Sequence, residues 1–429
     1  MFGFANFLLL ALFAAAVFDL IFALARGGGL RGALHGLWNT PHLLFGQQLA
    51  EWRLQLGRIL FAAGLAAYEI SVVFCNSMAR QNWAWVQGVM SPVLEWLAFL
   101  CFGAKILFGT RYTWRELLAG GALYFIARWV YFNSQNIWWI GIVVAVLAAK
   151  DVPLRRPLQV YFASGCAAMA VVLALHFAGI VAPDLTSERM GALRGTYGYG
   201  HPNTFGGLVF GLVLAYALLR AQKVRWVDCL LVFAIGVFLL VGPASRSAAL
   251  CTLALAVGLV FCRLRAGHSV PRWWPGTCAG MVGLTAAVSY LLPLLVIKVG
   301  PWNNDIGPAW LAKLDSLLTC RISLTWMAYR LLDVKIAGQV FNWPTVDNSF
   351  AFALFQFGPV VAALLGILFA AALLGHAKQG RRVEVCCLFA MLAYAYMEVQ
   401  PFHLTTNPTA LLLCGAVFAQ TSAQWQKIE

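Results

Sequence analysis

The chain has 429 residues, 62% of them hydrophobic and 11% charged, with a formal net charge of +14. So little polar material does not cover a soluble globule of this size, which excludes the soluble enzyme and binding classes and leaves an integral membrane protein. The positive balance sits in short clusters between apolar runs, as topology in a bilayer requires, so it predicts membrane lipids and no nucleic acid as partners; it also suits an anionic lipid substrate.

Apolar segments recur near 4–25, 57–76, 89–109, 117–131, 137–149, 158–182, 204–219, 226–242, 247–262, 276–297, 350–375, 383–398 and 408–420. Their length is roughly what a helix needs to cross the ~30 Å hydrocarbon core, and none shows the short alternating pattern of a β-barrel. The expected fold is an all-α polytopic membrane protein with about 12–13 transmembrane helices, built as a single membrane domain over 1–429. The opening MFGFANF has no basic residue ahead of its apolar run, which reads as a first helix and not as a cleaved leader. Arg26 and Arg31 follow that run, and basic groups recur in every second connection: Arg111 and Arg115, Lys150 with Arg155 and Arg156, Arg220 with Lys223 and Arg225, Arg263 with Arg265 and Arg272, Lys378 with Arg381 and Arg382. The short intervening connections hold only Arg80, Arg189, Arg194 and Arg246. By the positive-inside rule the N-terminus lies outside, and 183–203, 243–246, the long loop 298–349 and 399–407 are extracytoplasmic.

Inside the apolar segments, Glu69 and Arg128 both map to the outer halves of their helices, where they either pair with each other or contact substrate. Asp19 and His176 read as satisfied structural groups. Ten of the eleven cysteines fall in or beside apolar segments, and no pair in a loop has metal-ligand spacing, so they read as small packing residues. The glycine run ARGGGLRG at 25–32 lacks a preceding strand and a Walker lysine and reads as a loop.

The outer loops carry the residues that topology does not explain. RGTYGYGHPNTFGG at 194–207 places Arg194 and His201 immediately before an apolar helix whose first amides favour anions; Asn203 is either the cap of that helix or a ligand contact. Histidine is the side chain best able to take a proton near neutral pH. Arg246 lies in PASRSA. The loop 298–349 is long enough to need structure of its own, and from Pro308 it predicts one amphipathic helix, PAWLAKLDSLLTCRISLTWMAYRLL, with Arg321 inside it and its polar residues facing a cavity or solvent. Asp347, Asn348 and Ser349 stand where the chain re-enters the membrane, a capping position in the structural reading. Glu398 and Asn407 flank the last outer loop and suit sugar hydroxyls or, for a carboxylate, a general base. Guanidinium groups bind pyrophosphate bidentately and keep their charge, so Arg194, Arg246 and Arg321 suit a phosphate leaving group.

In this order, Arg194 with GTYGYG and HPN, SRS at 245–247, an arginine in LTCRISLTW of a long loop, VDNSF, and an outer Glu398 followed by Asn407-Pro resemble the O-antigen ligase/polymerase superfamily, and within it the capsular or exopolysaccharide repeat-unit polymerases of Gram-positive bacteria. The resemblance covers roughly 190–415. It implies a GT-C-type glycosyltransferase fold and a cofactor-free, metal-independent, inverting enzyme of the bacterial cytoplasmic membrane. Such an enzyme joins polyprenyl-pyrophosphate-linked oligosaccharides on the outer face, and its partners include a flippase and a chain-length regulator. Mapped onto this chain, Arg194 and Arg321 engage the donor pyrophosphate with Arg246 in support. Tyr197, Tyr199, Asn203, Asn348 and Asn407 line the substrate, and the base is one of His201, Glu398 and Asp347. The ligase branch commonly carries a histidine in the long loop; 298–349 has none, which favours polymerase over ligase. A transporter or flippase of lipid-linked sugar is the reading from another class, although no repeated half with interrupted helices is visible.

Overall fold

The computed structural model describes residues 2–25, 29–181, 187–189, 192–297 and 306–418. Within their described residues, the expected apolar segments are mainly helical. Among the described residues eight helices are long and apolar enough to cross a membrane: Gly3–Ala25, Ala50–Cys75, Val86–Phe108, Arg155–Phe177, Pro202–Leu219, Arg246–Leu264, Trp274–Leu295 and Pro359–Lys378. The protein is therefore an all-α, multi-pass membrane protein. Of the remaining segments, Trp114–Ser134 is long but carries Arg115, Glu116 and Arg128. Ile137–Ala148, Trp226–Val241, Arg382–Met397 and Pro408–Phe418 are shorter than the ~20 residues that a straight crossing takes. Among the described residues, two short antiparallel ribbons, His42–Leu43 with Arg111–Tyr112 and Ser187–Arg189 with Ala192–Arg194, depart from the helical pattern.

The membrane domain divides into two compact units, one of Met1–Arg128, Trp139–Thr204 and Ala410–Glu429, the other of Trp129–Trp138 and Phe205–Thr409. In the first, Ala50–Cys75 packs against Val86–Phe108 and Arg155–Phe177. Apolar burial does not drive helix association in lipid, so close approach matters more. Gly57 and Gly109 supply it: a Cβ on Gly57 would stand 2.8 Å from the Gly109 Cα. Two buried lysines near one end of this unit are partnered in place, Lys150 by ion pairs with Glu116 at 3.1 Å and Asp151 at 3.4 Å, and Lys105 by hydrogen bonds to Thr110 Oγ1 at 2.7 Å and to the Lys150 carbonyl.

The pairing of Glu69 with Arg128 does not form. Arg128 donates instead to Asn6 Oδ1, 2.7 Å from its Nε, and Tyr124, one turn earlier, donates to the Ala5 carbonyl. The two lie at i and i+4, so they share one face, and that face docks on the first helix. Glu69 is buried on Ala50–Cys75.

In the second unit the Trp226–Val241 and Arg246–Leu264 helices form an antiparallel pair, and Arg382–Met397 packs on the second of them. Their shared core includes Phe210, Leu214, Val232, Leu255 and Met391 with small residues Ala248, Ala249 and Ala256 at the crossings. Two expectations about helix continuity are corrected here. The amphipathic helix from Pro308 is two helices, Ala309–Leu317 and Arg321–Leu331, because Thr319 (φ 61°) and Cys320 (φ 64°) adopt left-handed backbone between them. The Asp315 carboxylate makes the break stable by accepting from the amides of Ile322 (2.8 Å) and Ser323 (3.2 Å) at the start of the second helix. The segment 350–375 is likewise interrupted: Ser349–Phe352 continues as a π-helical turn to Phe357, and Gly358 (φ 87°) then resets the chain before Pro359–Lys378. A side chain at Gly358 would collide with the Ile336 carbonyl, so the stretch of the long loop at Lys335 and Ile336 lies directly against the break.

Candidate functional site

The residues singled out in the sequence fall into two groups, one in each unit, and each has its own construction.

The first is the run from Arg194 to Asn203. Tyr197 takes left-handed backbone (φ 52°) and Gly198 follows with φ 80°, which turns the chain sharply. The turn is strapped to the segment just after Ala50–Cys75: Met78 donates its amide to the Gly198 carbonyl at 2.8 Å, and Ser77 forms a bridge with Tyr199. Gly198 is required for this fit, since a Cβ there would lie 3.0 Å from His176 Cβ. Tyr199 is fully buried and Tyr197 partly so, which makes Tyr199 a packing residue of the turn. Arg194, also buried, donates through Nη2 to Asn203 Oδ1 at 2.9 Å, so the arginine is tied to the first turn of the Pro202–Leu219 helix.

The cap of that helix is His201, not Asn203. The helix begins at Pro202, as the missing amide of proline favours, and His201 Nδ1 accepts the Asn203 N–H at 3.1 Å. An accepting Nδ1 leaves the ring proton on Nε2, and in that tautomer neither nitrogen offers a free lone pair to a substrate hydroxyl. His201 is exposed, and in this structure its Nδ1 serves as the helix cap.

The second group is assembled from much more distant positions. Arg321, the first residue of Arg321–Leu331, is buried and donates in four directions: from Nε to the Met397 carbonyl, from Nη1 to the Leu318 carbonyl (2.8 Å), and from Nη2 to Ser247 Oγ (3.3 Å) and Glu398 Oε1 (2.6 Å). Four of its five N–H groups are committed to protein acceptors, and one of them holds Glu398. Glu398 leaves the Arg382–Met397 helix in extended backbone, and its carbonyl accepts from Ser349 Oγ at 2.5 Å. Burial pushes its carboxyl above the usual range; Arg321 and Ser247 pull it back in part, and the charge of Asp347 adds to the rise. A buried, oriented carboxylate with a raised pKa is the environment in which enzymes set a general base. Asp347 itself is half-buried and acts here on Glu398 through its charge.

Asn348 is a cap in full: Oδ1 accepts from Phe350 and Ala351, and Nδ2 donates to Ser289 Oγ at 3.1 Å. Asn407 closes its own loop, donating to the Pro401 carbonyl (2.9 Å) and accepting from Thr409 Oγ1 (2.5 Å). Arg246 opens the Arg246–Leu264 helix and is exposed.

Several roles were not assigned from the sequence, although Ser247 in SRS and Ser349 in VDNSF stood out there. Ser349 and Ser247 support Glu398 and Arg321, and Asp315 fixes the helix that starts at Arg321. Gln400 accepts from Tyr394 at 2.8 Å beside the Pro202–Leu219 helix, where a side chain at Gly207 would collide with it. His403 packs against Trp138 with ring centroids 3.7 Å apart, and burial pushes it down to about 3, so it stays neutral. Among the described residues no three His, Cys, Asp or Glu side chains come together as a metal site. A comparison with protein-family models, with curated proteins and with solved structures finds no match.

Proposed function

We propose that the protein is an inverting glycosyltransferase that polymerises polyprenyl-pyrophosphate-linked oligosaccharide repeat units into a cell-surface polysaccharide. The observation that supports it best is the buried Arg321–Glu398 pair with Ser247, a positioned carboxylate poised above its ordinary pKa. The resemblance along 190–415 supplies the substrate class, and the distribution of basic residues supports a site on the outer face of a bacterial cytoplasmic membrane.

In this reading an acceptor sugar hydroxyl attacks the anomeric carbon of the donor from the face opposite the pyrophosphate. The new C–O bond forms, the bond to the pyrophosphate breaks, and polyprenyl pyrophosphate departs with the electron pair. Glu398 takes the hydroxyl proton. Arg321 is a positioning residue for Glu398. The charge growing on the leaving phosphate falls to a guanidinium group, a task for which Arg246 is exposed.

Purified protein supplied with its lipid-linked oligosaccharide, without metal or nucleotide, is expected to give a ladder on a gel. Glu398→Gln is expected to abolish it while the protein remains folded in the membrane. An intact ladder from Glu398→Gln would remove the carboxylate from the chemistry. Redistribution of the substrate between leaflets with no ladder would make the protein a flippase.

A further inference from the structure

Cys262 and Cys386 are 124 positions apart in the chain, yet their sulfurs stand 3.5 Å from each other within the second unit. The contact is built, not incidental. Cys262 lies near the end of Arg246–Leu264 and Cys386 near the start of Arg382–Met397. One turn before Cys262 is Gly258, and a Cβ placed there would come 3.1 Å from Cys386 Sγ and 3.2 Å from Cys386 Cβ. The glycine thus opens the groove that seats Cys386. Arg382, one turn before Cys386, then clamps the two helix ends together by donating from Nη1 to the Arg265 carbonyl at 2.8 Å and from Nη2 to the carbonyls of His268 and Ser269. Cys262 is buried and Cys386 partly exposed, so a small reagent has one thiol to meet first. The neighbouring Cys387 is fully buried in the helix core.

We infer that Cys262 and Cys386 form a reversible redox dithiol, a site that a small disulfide such as oxidised glutathione converts to a protein disulfide. The Cys386 thiolate attacks one sulfur of the reagent, breaks its S–S bond and releases the first glutathione thiolate. The Cys262 thiolate then attacks the mixed disulfide at the Cys386 sulfur and displaces the second glutathione. The protein loses two electrons and two protons, which leave as two glutathione thiols. The bond staples two helices whose other ends carry Ser247 and Glu398. Basic clusters around Arg263 and Arg382 place this end of the helices on the cytoplasmic side, where a protein disulfide is characteristically transient or redox-sensing. The inference holds whether or not the glycosyl-transfer reading does.

The test is to treat the detergent-solubilised full-length protein with oxidised glutathione, alkylate the remaining thiols, digest it and analyse the peptides by mass spectrometry. The expected product is the Cys262 peptide joined to the Cys386 peptide and lighter by two hydrogens. It should disappear on dithiothreitol treatment, be absent from Cys262→Ser and Cys386→Ser, and persist in Cys387→Ser. Full alkylation of both thiols after oxidant, in protein that forms disulfides once denatured, would overturn the inference. So would a stable glutathione adduct on Cys386 without the cross-link, or joined peptides that involve Cys387 or Cys251 as often as Cys262.

Discussion

The run 194–203 and the cluster at Arg321 both hold an arginine in a polar neighbourhood, but they are made differently. The first is contiguous in sequence and is shaped by backbone: a left-handed turn, a strap to Met78 and a helix cap, with Arg194 tied to Asn203 nine residues away. The second draws Ser247, Arg321, Ser349 and Glu398 from four separate elements, and its specificity lies in buried side-chain charge. A short motif can therefore be read from a sequence as a shape, whereas a charge pair across 77 positions is seen only once the chain is folded.

If the second region supplies the chemistry, the largest effect follows from Glu398→Gln. The amide keeps the shape and the contact with Arg321 but takes no proton, so chain growth is expected to fall by about 10²–10⁴-fold in the gel assay at unchanged protein level. The pH dependence sharpens the same point. Only the ionised form is a base, so activity falls as pH drops through the raised pKa of Glu398, and the acid limb lies above that of an ordinary carboxyl at about 4.3. Stability has the opposite sign. A raised native pKa means the folded state holds the proton more tightly, so the contribution of this group is full at low pH and declines as pH rises through the raised value. Both dependences should flatten in Glu398→Gln.

Arg321→Ala leaves Glu398 buried without its cation and is expected to cost about 3–5 kcal/mol, read as a lowered thermal midpoint in detergent. If Arg321→Ala lost activity with no loss of stability, the arginine would instead be touching substrate. Gly207→Ala forces a methyl group towards Gln400 and the Tyr394 hydroxyl, 2.8 Å away, with an expected destabilisation of about 1–3 kcal/mol by the same measurement.

The smallest effect belongs to the first region. His201→Ala removes a cap worth about 1 kcal/mol and is expected to lower the thermal midpoint slightly while chain growth continues; His201→Asn should restore the cap. Abolition of the ladder by both substitutions would return His201 to the chemistry and erase the contrast between the two regions.

The sequence by itself determined the parts that depend on local composition. Uninterrupted apolar runs predicted where helices form, because hydrocarbon tolerates only backbone bonded within its own segment. The VDNSF run marked a helix start at its true place, because capping acts over three or four residues, whereas before Pro202 the cap fell to His201 and not to Asn203. What the tertiary structure decided were partners and interruptions. Arg128 found Asn6 and not Glu69, and the helix from Pro308 broke at Thr319 and Cys320. Arg321 turned from a free guanidinium into the partner of Glu398, and Cys262 met Cys386. Each of these outcomes depends on which helix face lies against which, and a hydropathy pattern that is apolar on nearly every face of a membrane helix carries little record of that choice.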